Sequence, residues 1–295
     1  MASSQRIRPN ARAKAAALRD KERRREAQRR MLLALGAVVA VLAVIGTLVV
    51  IKLAKDDKKS GTVAAVTLDP ATATKVTTLP AATLEKIGRG SVKTLPKSIT
   101  GSPLSKDGKP KVVYVGAEYC PYCAAERWPM VVALSRFGTW RNLAATTSGE
   151  KPEPFPNTPT FSFHGASYAS SFLAFEGVET ESNKRAGNSY APLDKMTAEQ
   201  EKLFSKYQPQ GGIPFIDFGN RFMTDGASYA PGVLSGKSLT QIADDLTKPD
   251  TAVAKGIGGT ANAMTAAICT LTKNQPSKVC NATVITALRG QLGGG

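Results

Sequence analysis

The chain has 295 residues and a formal net charge of +16, with 42% hydrophobic residues and four cysteines. A charge this large would suggest a nucleic-acid partner, but residues 1–60 alone carry a net +10 of it, so the excess is local and belongs to topology rather than to a binding surface. No nucleic-acid role is therefore assigned, and the length leaves room for one large domain or two small ones once a targeting segment is set aside.

Eleven Lys/Arg and three Asp/Glu fall within residues 1–30, and the uncharged apolar run 31–51 follows directly. Rising about 1.5 Å per residue, that run is long enough to cross the roughly 30 Å hydrocarbon core. Four lysines follow it, Lys52, Lys55, Lys58 and Lys59. The larger basic cluster stays on the cytoplasmic side, so the expectation is a cytoplasmic arm (1–30), one transmembrane helix (31–51) and everything beyond it outside the cytoplasm. A cleaved signal peptide would have a shorter apolar core and a small-residue cleavage site; here Lys52-Leu53-Ala54-Lys55 follows the span.

All four cysteines lie in the outer portion, as an oxidising compartment favours, in two local pairs, Cys120/Cys123 and Cys269/Cys280. Residues 52–84 have no helical or strand period and suggest a linker without a core. The run KVVYVGA at 111–117 predicts a buried strand, and the stretch from Pro121 to about Leu143 predicts a helix with Met130, Leu134 and Phe137 on one face. The first cysteine pair thus falls at a strand-to-helix junction. Residues 144–196 are rich in Ser, Thr, Asn, Pro and Gly and suggest an insertion with β islands at 160–163 and 171–175. Thr197 with Gln200 forms a capping-box pattern ahead of a helix, GIPFIDF at 212–218 predicts a second strand, Asn220 a turn, and Ser238 another helix start. From 250 to 291 two helices are expected, broken near Pro276.

A cysteine at a helix start meets unpaired N–H groups and the positive end of the dipole, both of which favour the thiolate. Cys120 is the expected attacking thiol, and Cys123, one turn on, the resolving one. Zinc would require two further ligands, and His164, Cys269 and Cys280 lack the spacing for it, so no metal is expected. The Cys269/Cys280 pair closes a loop between helices and is expected to be structural. Trp128 and Trp140 are expected in the core, while Glu126 and Arg127 read as a solvated helix face, with modulation of the cysteine pair by either as the alternative. Asp217 would need a partner if buried on its strand.

The strings VYVGAEYCPYC (113–123) and GIPFIDF (212–218) resemble the thioredoxin superfamily. The longer GAEYCPYCAAERWP (116–129), with IPFIDFG (213–219) and the Cys269/Cys280 tail, is similar to a membrane-anchored thioredoxin-like family of unknown function, DUF929, over about residues 85–290. The resemblance implies an α/β fold for 85–295, a thioredoxin-like mixed sheet flanked by helices, enlarged by the 144–196 insertion and a C-terminal helical hairpin at about 250–291. By the same analogy Pro214 is a cis-proline beside the cysteines, leaving the Ile213 backbone to pair with an extended substrate. Thioredoxins usually carry a buried acid where this chain has Tyr114. Proton transfer would then fall to Glu118, Glu126 or water, with Tyr122, Glu118, Glu126 and Asp217 as possible modulators. The function expected is dithiol/disulfide exchange on exported proteins, with a membrane or envelope redox partner and no cofactor. The alternative is a non-catalytic interaction module of the cell envelope.

Overall fold

The computed structural model describes residues 68–292. The expected basic arm, the span 31–51 and the linker up to residue 67 lie outside the described residues. Among the described residues no helix is long and apolar enough to cross a membrane.

The described residues begin with two short helices, α1 (Pro70–Thr77) and α2 (Ala81–Ile87), where a linker was expected. Asp69 caps α1 by accepting the Thr72 N–H, and Pro70 at the first position is pre-set for the helical φ. Val76 and Leu84 are buried in the main core, so the segment from Pro70 onward belongs to the domain.

Two short strands, β1 (Lys97–Ser98) and β2 (Ser105–Lys106), precede the central β3 (Lys109–Gly116). Then comes α3 (Pro121–Ser135), which stops earlier than predicted because Gly138 opens a strand, β4 (Gly138–Arg141). A Cβ on Gly138 would stand 2.3 Å from the Ala169 carbonyl oxygen, so β4 pairs with its neighbour at a distance only glycine allows.

The region 144–196 holds six strands: β5 (Ala144–Thr147), β6 (Pro159–Ser162), β7 (Ser167–Ser170), β8 (Ala174–Glu179), β9 (Glu181–Ala186) and β10 (Ser189–Pro192). Most form two-stranded pairs, but β8 runs parallel to β3 in the principal sheet. The stretch read as an insertion therefore contributes an outer strand of the principal sheet, laid directly against β3.

Next are α4 (Ala198–Tyr207), β11 (Phe215–Phe218), β12 (Phe222–Asp225), a 3₁₀ turn (Pro231–Leu234), α5 (Leu239–Leu246), α6 (Ala252–Leu271), α7 (Ser277–Cys280) and α8 (Thr283–Arg289). The capping boxes at Thr197/Gln200 and Ser238/Gln241 both form. Gly219 and Asn220 take positive φ at the β11–β12 turn, where Asn220 was expected to mark one.

The main sheet is mixed, ordered β1-β12-β11-β3-β2, with β8 also on β3. Helices flank it on both faces. Val112, Tyr114, Ile216 and Phe218 point into the large core shared with α3 and α6, and Val113, Val115 and Phe215 point toward Leu203 and Phe204 of α4.

α6 joins the ends of the described chain. Asn262 donates to the carbonyls of Leu84 and Gly88, both at 2.8 Å, and a Cβ on Gly259 would stand 2.2 Å from the Arg89 carbonyl oxygen. The backbone after α2 thus rests on the backbone of α6. The Cys269–Cys280 disulfide is closed, as expected, and links the end of α6 to α7.

Candidate functional site

Cys120 is the N-cap of α3, in extended conformation, with Pro121 at the first helical position. Its Sγ accepts the Cys123 N–H at 3.2 Å, satisfying one of the donors that a helix start leaves unpaired. Both cysteines are free thiols in this structure. Cys120 is 5% exposed and Cys123 fully buried.

Their protonation is driven apart. The Cys123 thiol hydrogen bond, helped by the Cys123 and Tyr122 N–H groups and the Arg127 charge, overcomes burial and holds Cys120 below the usual thiol range. Burial, reinforced by the nearby Cys120, pushes Cys123 well above it. One sulfur is thus tilted toward the anion and the other toward the thiol.

The second segment lies alongside. β11 pairs with β3 so that Phe215 opposes Val115, which places Pro214 beside Gly116, at the end of β3 from which the cysteine loop departs. The Ile213–Pro214 bond is cis. The Pro214 carbonyl accepts from Gly226, whereas among the described residues the Ile213 amide and carbonyl find no partner. Tyr122, 41% exposed, and Ile213 line one open groove of about 420 Å³ together with Lys93, Ala227, Tyr229 and Pro231.

The far wall of the groove is pinned to α3 by Glu126. Its carboxylate accepts from the Ser228 N–H (2.9 Å) and Oγ–H (2.6 Å), while Tyr229 donates to the Ala125 carbonyl (2.9 Å). Burial raises Glu126 to about 7 against the pull of those two bonds. Glu126 and Arg127, read from the sequence as a solvated face, are both fully buried. The reason is that α3 is enclosed by the sheet, by α6 and by the 226–231 loop, and only Tyr122 emerges.

Arg127 forms a two-pronged ion pair with Glu179 at the end of β8, Nε to Oε1 at 2.8 Å and Nη2 to Oε2 at 2.6 Å, both residues fully buried. The same Nη2 donates to the Ala117 carbonyl (2.7 Å), which also accepts the Cys120 N–H. Tyr114 lies 5.9 Å from this guanidinium, and its hydroxyl has no partner.

Asp217 and Glu118 stand differently. The Asp217 Oδ1 accepts the Asn220 N–H at 2.6 Å and closes the β11–β12 turn, opposite Val113 and so well down the sheet from the cysteines. Burial raises it to about 6. Glu118 is only half-buried and donates its backbone N–H to Glu181. Neither side chain is brought into the cysteine pair by a hydrogen bond, and Glu126 faces the groove wall instead. Sequence reasoning missed Glu179, Ser228 and Tyr229, which no local motif announces; the CAAER segment does place Arg127 one turn beyond Cys123, the only available signal for it.

Residues 96–270, more than half of the chain, match the family described as Domain of unknown function (DUF929). No curated protein and no solved structure matches the chain.

Proposed function

The chain belongs to the Domain of unknown function (DUF929) family, and from that premise and the chemistry of its cysteine pair we propose that it is a thiol–disulfide oxidoreductase of thioredoxin-like fold. It acts on exported proteins from a single membrane anchor at 31–51, with the domain outside the cytoplasm. Cys120 attacks, Cys123 resolves the mixed disulfide, and Ile213 offers backbone groups to an extended client beside Pro214. One observation carries the reading: at a helix N-terminus Cys120 is held toward the thiolate by hydrogen bonds while buried Cys123 is held as the thiol. The strand, cysteine pair, helix and Ile-Pro strand occur in the order that a thioredoxin-like fold requires.

The test is a redox titration with trapping. The pair should equilibrate at a potential above about −300 mV, the region below which structural disulfides lie. Cys123→Ser should accumulate client adducts that Cys120→Ser abolishes. A reporter active only outside the cytoplasm, fused after Gly295, should be active; an inactive fusion refutes the orientation and leaves the chemistry standing. The near-complete burial of Cys120 beside the exposed Tyr122 favours one other reading, a peptide-binding module that uses the groove without exchange. It takes the lead if the pair titrates below that potential and no adducts form.

A further inference from the structure

Arg127 is the most expensive side chain in the core, because a guanidinium is seldom buried without a task. It lies four residues after Cys123 on α3, and therefore on the same face one turn deeper. Glu179 holds two of its nitrogens, and the Nη2 shared with Ala117 ties it to the carbonyl that also takes the Cys120 N–H. The third nitrogen, Nη1, is buried and has no hydrogen-bond partner among the described residues. One face of the cation is thus neutralised by Glu179 and anchored, and one donor is left over in the layer beneath the cysteines. The other groups around it are Tyr114, whose hydroxyl is neutral, and Glu118, which acts on Glu179.

We propose that Arg127, clamped by Glu179, is the positioning residue of the cysteine pair: its charge favours the reduced, anionic state and so tilts the site toward giving its disulfide to client dithiols. The proposal rests on the oxidoreductase reading above and adds the direction of exchange. A client thiolate attacks the Cys120 sulfur of the Cys120–Cys123 disulfide, that bond breaks, and its electron pair goes to Cys123. A second client thiol passes its proton to Cys123 and attacks the client sulfur of the mixed disulfide, expelling Cys120 as the thiolate. The client is oxidised by two electrons to a disulfide, and the pair is reduced to one thiolate and one thiol. A partner protein's disulfide restores the pair by the reverse exchange. Arg127 acts where negative charge gathers, on Cys123 in the first step and Cys120 in the second, and it lowers the proton affinity of both.

The full-length chain is equilibrated with glutathione buffers, and the pH dependence of Cys120 alkylation is followed. Arg127→Met should move the alkylation midpoint up by about one pH unit and make the pair about tenfold weaker as an oxidant, the effect of losing one nearby charge. Arg127→Lys should restore most of both. Arg127→Met leaves Glu179 buried without its partner, so if that variant does not fold, Arg127→Met with Glu179→Met, which removes both charges, decides the matter. A folded Arg127→Met or double variant with wild-type midpoint and equilibrium overturns the proposal while the oxidoreductase reading stands. A wild-type pair that does not exchange with glutathione overturns both.

Discussion

The Tyr114 hydroxyl occupies the place where a side chain on Gly116 would begin: a Cβ there would stand 2.1 Å from the oxygen and 2.5 Å from the ring carbon that bears it. The two residues share a face of β3, so the glycine that precedes the cysteine loop is required by the tyrosine two positions earlier. Gly116→Ala should therefore lower stability by about 1–3 kcal/mol through overpacking. Tyr114→Phe removes a buried hydroxyl without a partner and should raise stability by about 1 kcal/mol. In the double variant the ring carbon still blocks the methyl, so phenylalanine should recover only part of the loss; full recovery in thermal unfolding would disprove this packing.

Glu126 makes stability depend on pH. Its folded pKa of about 7 lies above the ordinary 4.5, so between those values the folded state binds more protons than the unfolded one and stability falls as pH rises. The benefit is complete below pH 4.5 and gone above about 7, a difference on the order of 3 kcal/mol. Glu126→Gln keeps an acceptor for the Ser228 N–H and can donate to its Oγ. Urea denaturation should show the variant more stable than wild type at pH 8 and nearly equal at pH 4.5. Parallel pH profiles for the two proteins would rule this out.

The Cys269–Cys280 disulfide sits at the far end of α6 from the site helix's start and closes a separation of 11 residues. Replacing both cysteines with serine should cost roughly 3 kcal/mol of stability in the chain-entropy account. Exchange by Cys120/Cys123 below the melting range should stay within about twofold of wild type. Unchanged stability with lost exchange would instead make this pair a relay.

Local signals made part of this protein legible. The β run at 111–117, the cysteines at a helix start, the Thr197 and Ser238 caps and the Asn220 turn each depend on residues within a few positions of one another, and all formed. What was hidden depends on distant partners. α1 and α2 are Thr- and Ala-rich with few large apolar residues, so their burial on α5 and α6 leaves little periodic trace. β8, with glycine and two glutamates in six residues, resembles a loop until its pairing with β3 is known. Arg127 meets Glu179 across 52 residues of sequence, and only that meeting turns an apparent surface charge into a buried one.

The seat that α6 provides for both α3 and the backbone after α2 sets an order on chain growth. The helix carrying Cys120 and Cys123 is complete by residue 135, yet its packing partner spans Ala252–Leu271. More than a hundred residues must follow before that surface can close, a high-contact-order arrangement that folds late. Until then Cys123 is an open thiol in an unfinished chain, available to whatever oxidant or nascent cysteine meets it first. The burial that protects the pair in the finished domain thus waits on residues far downstream of it.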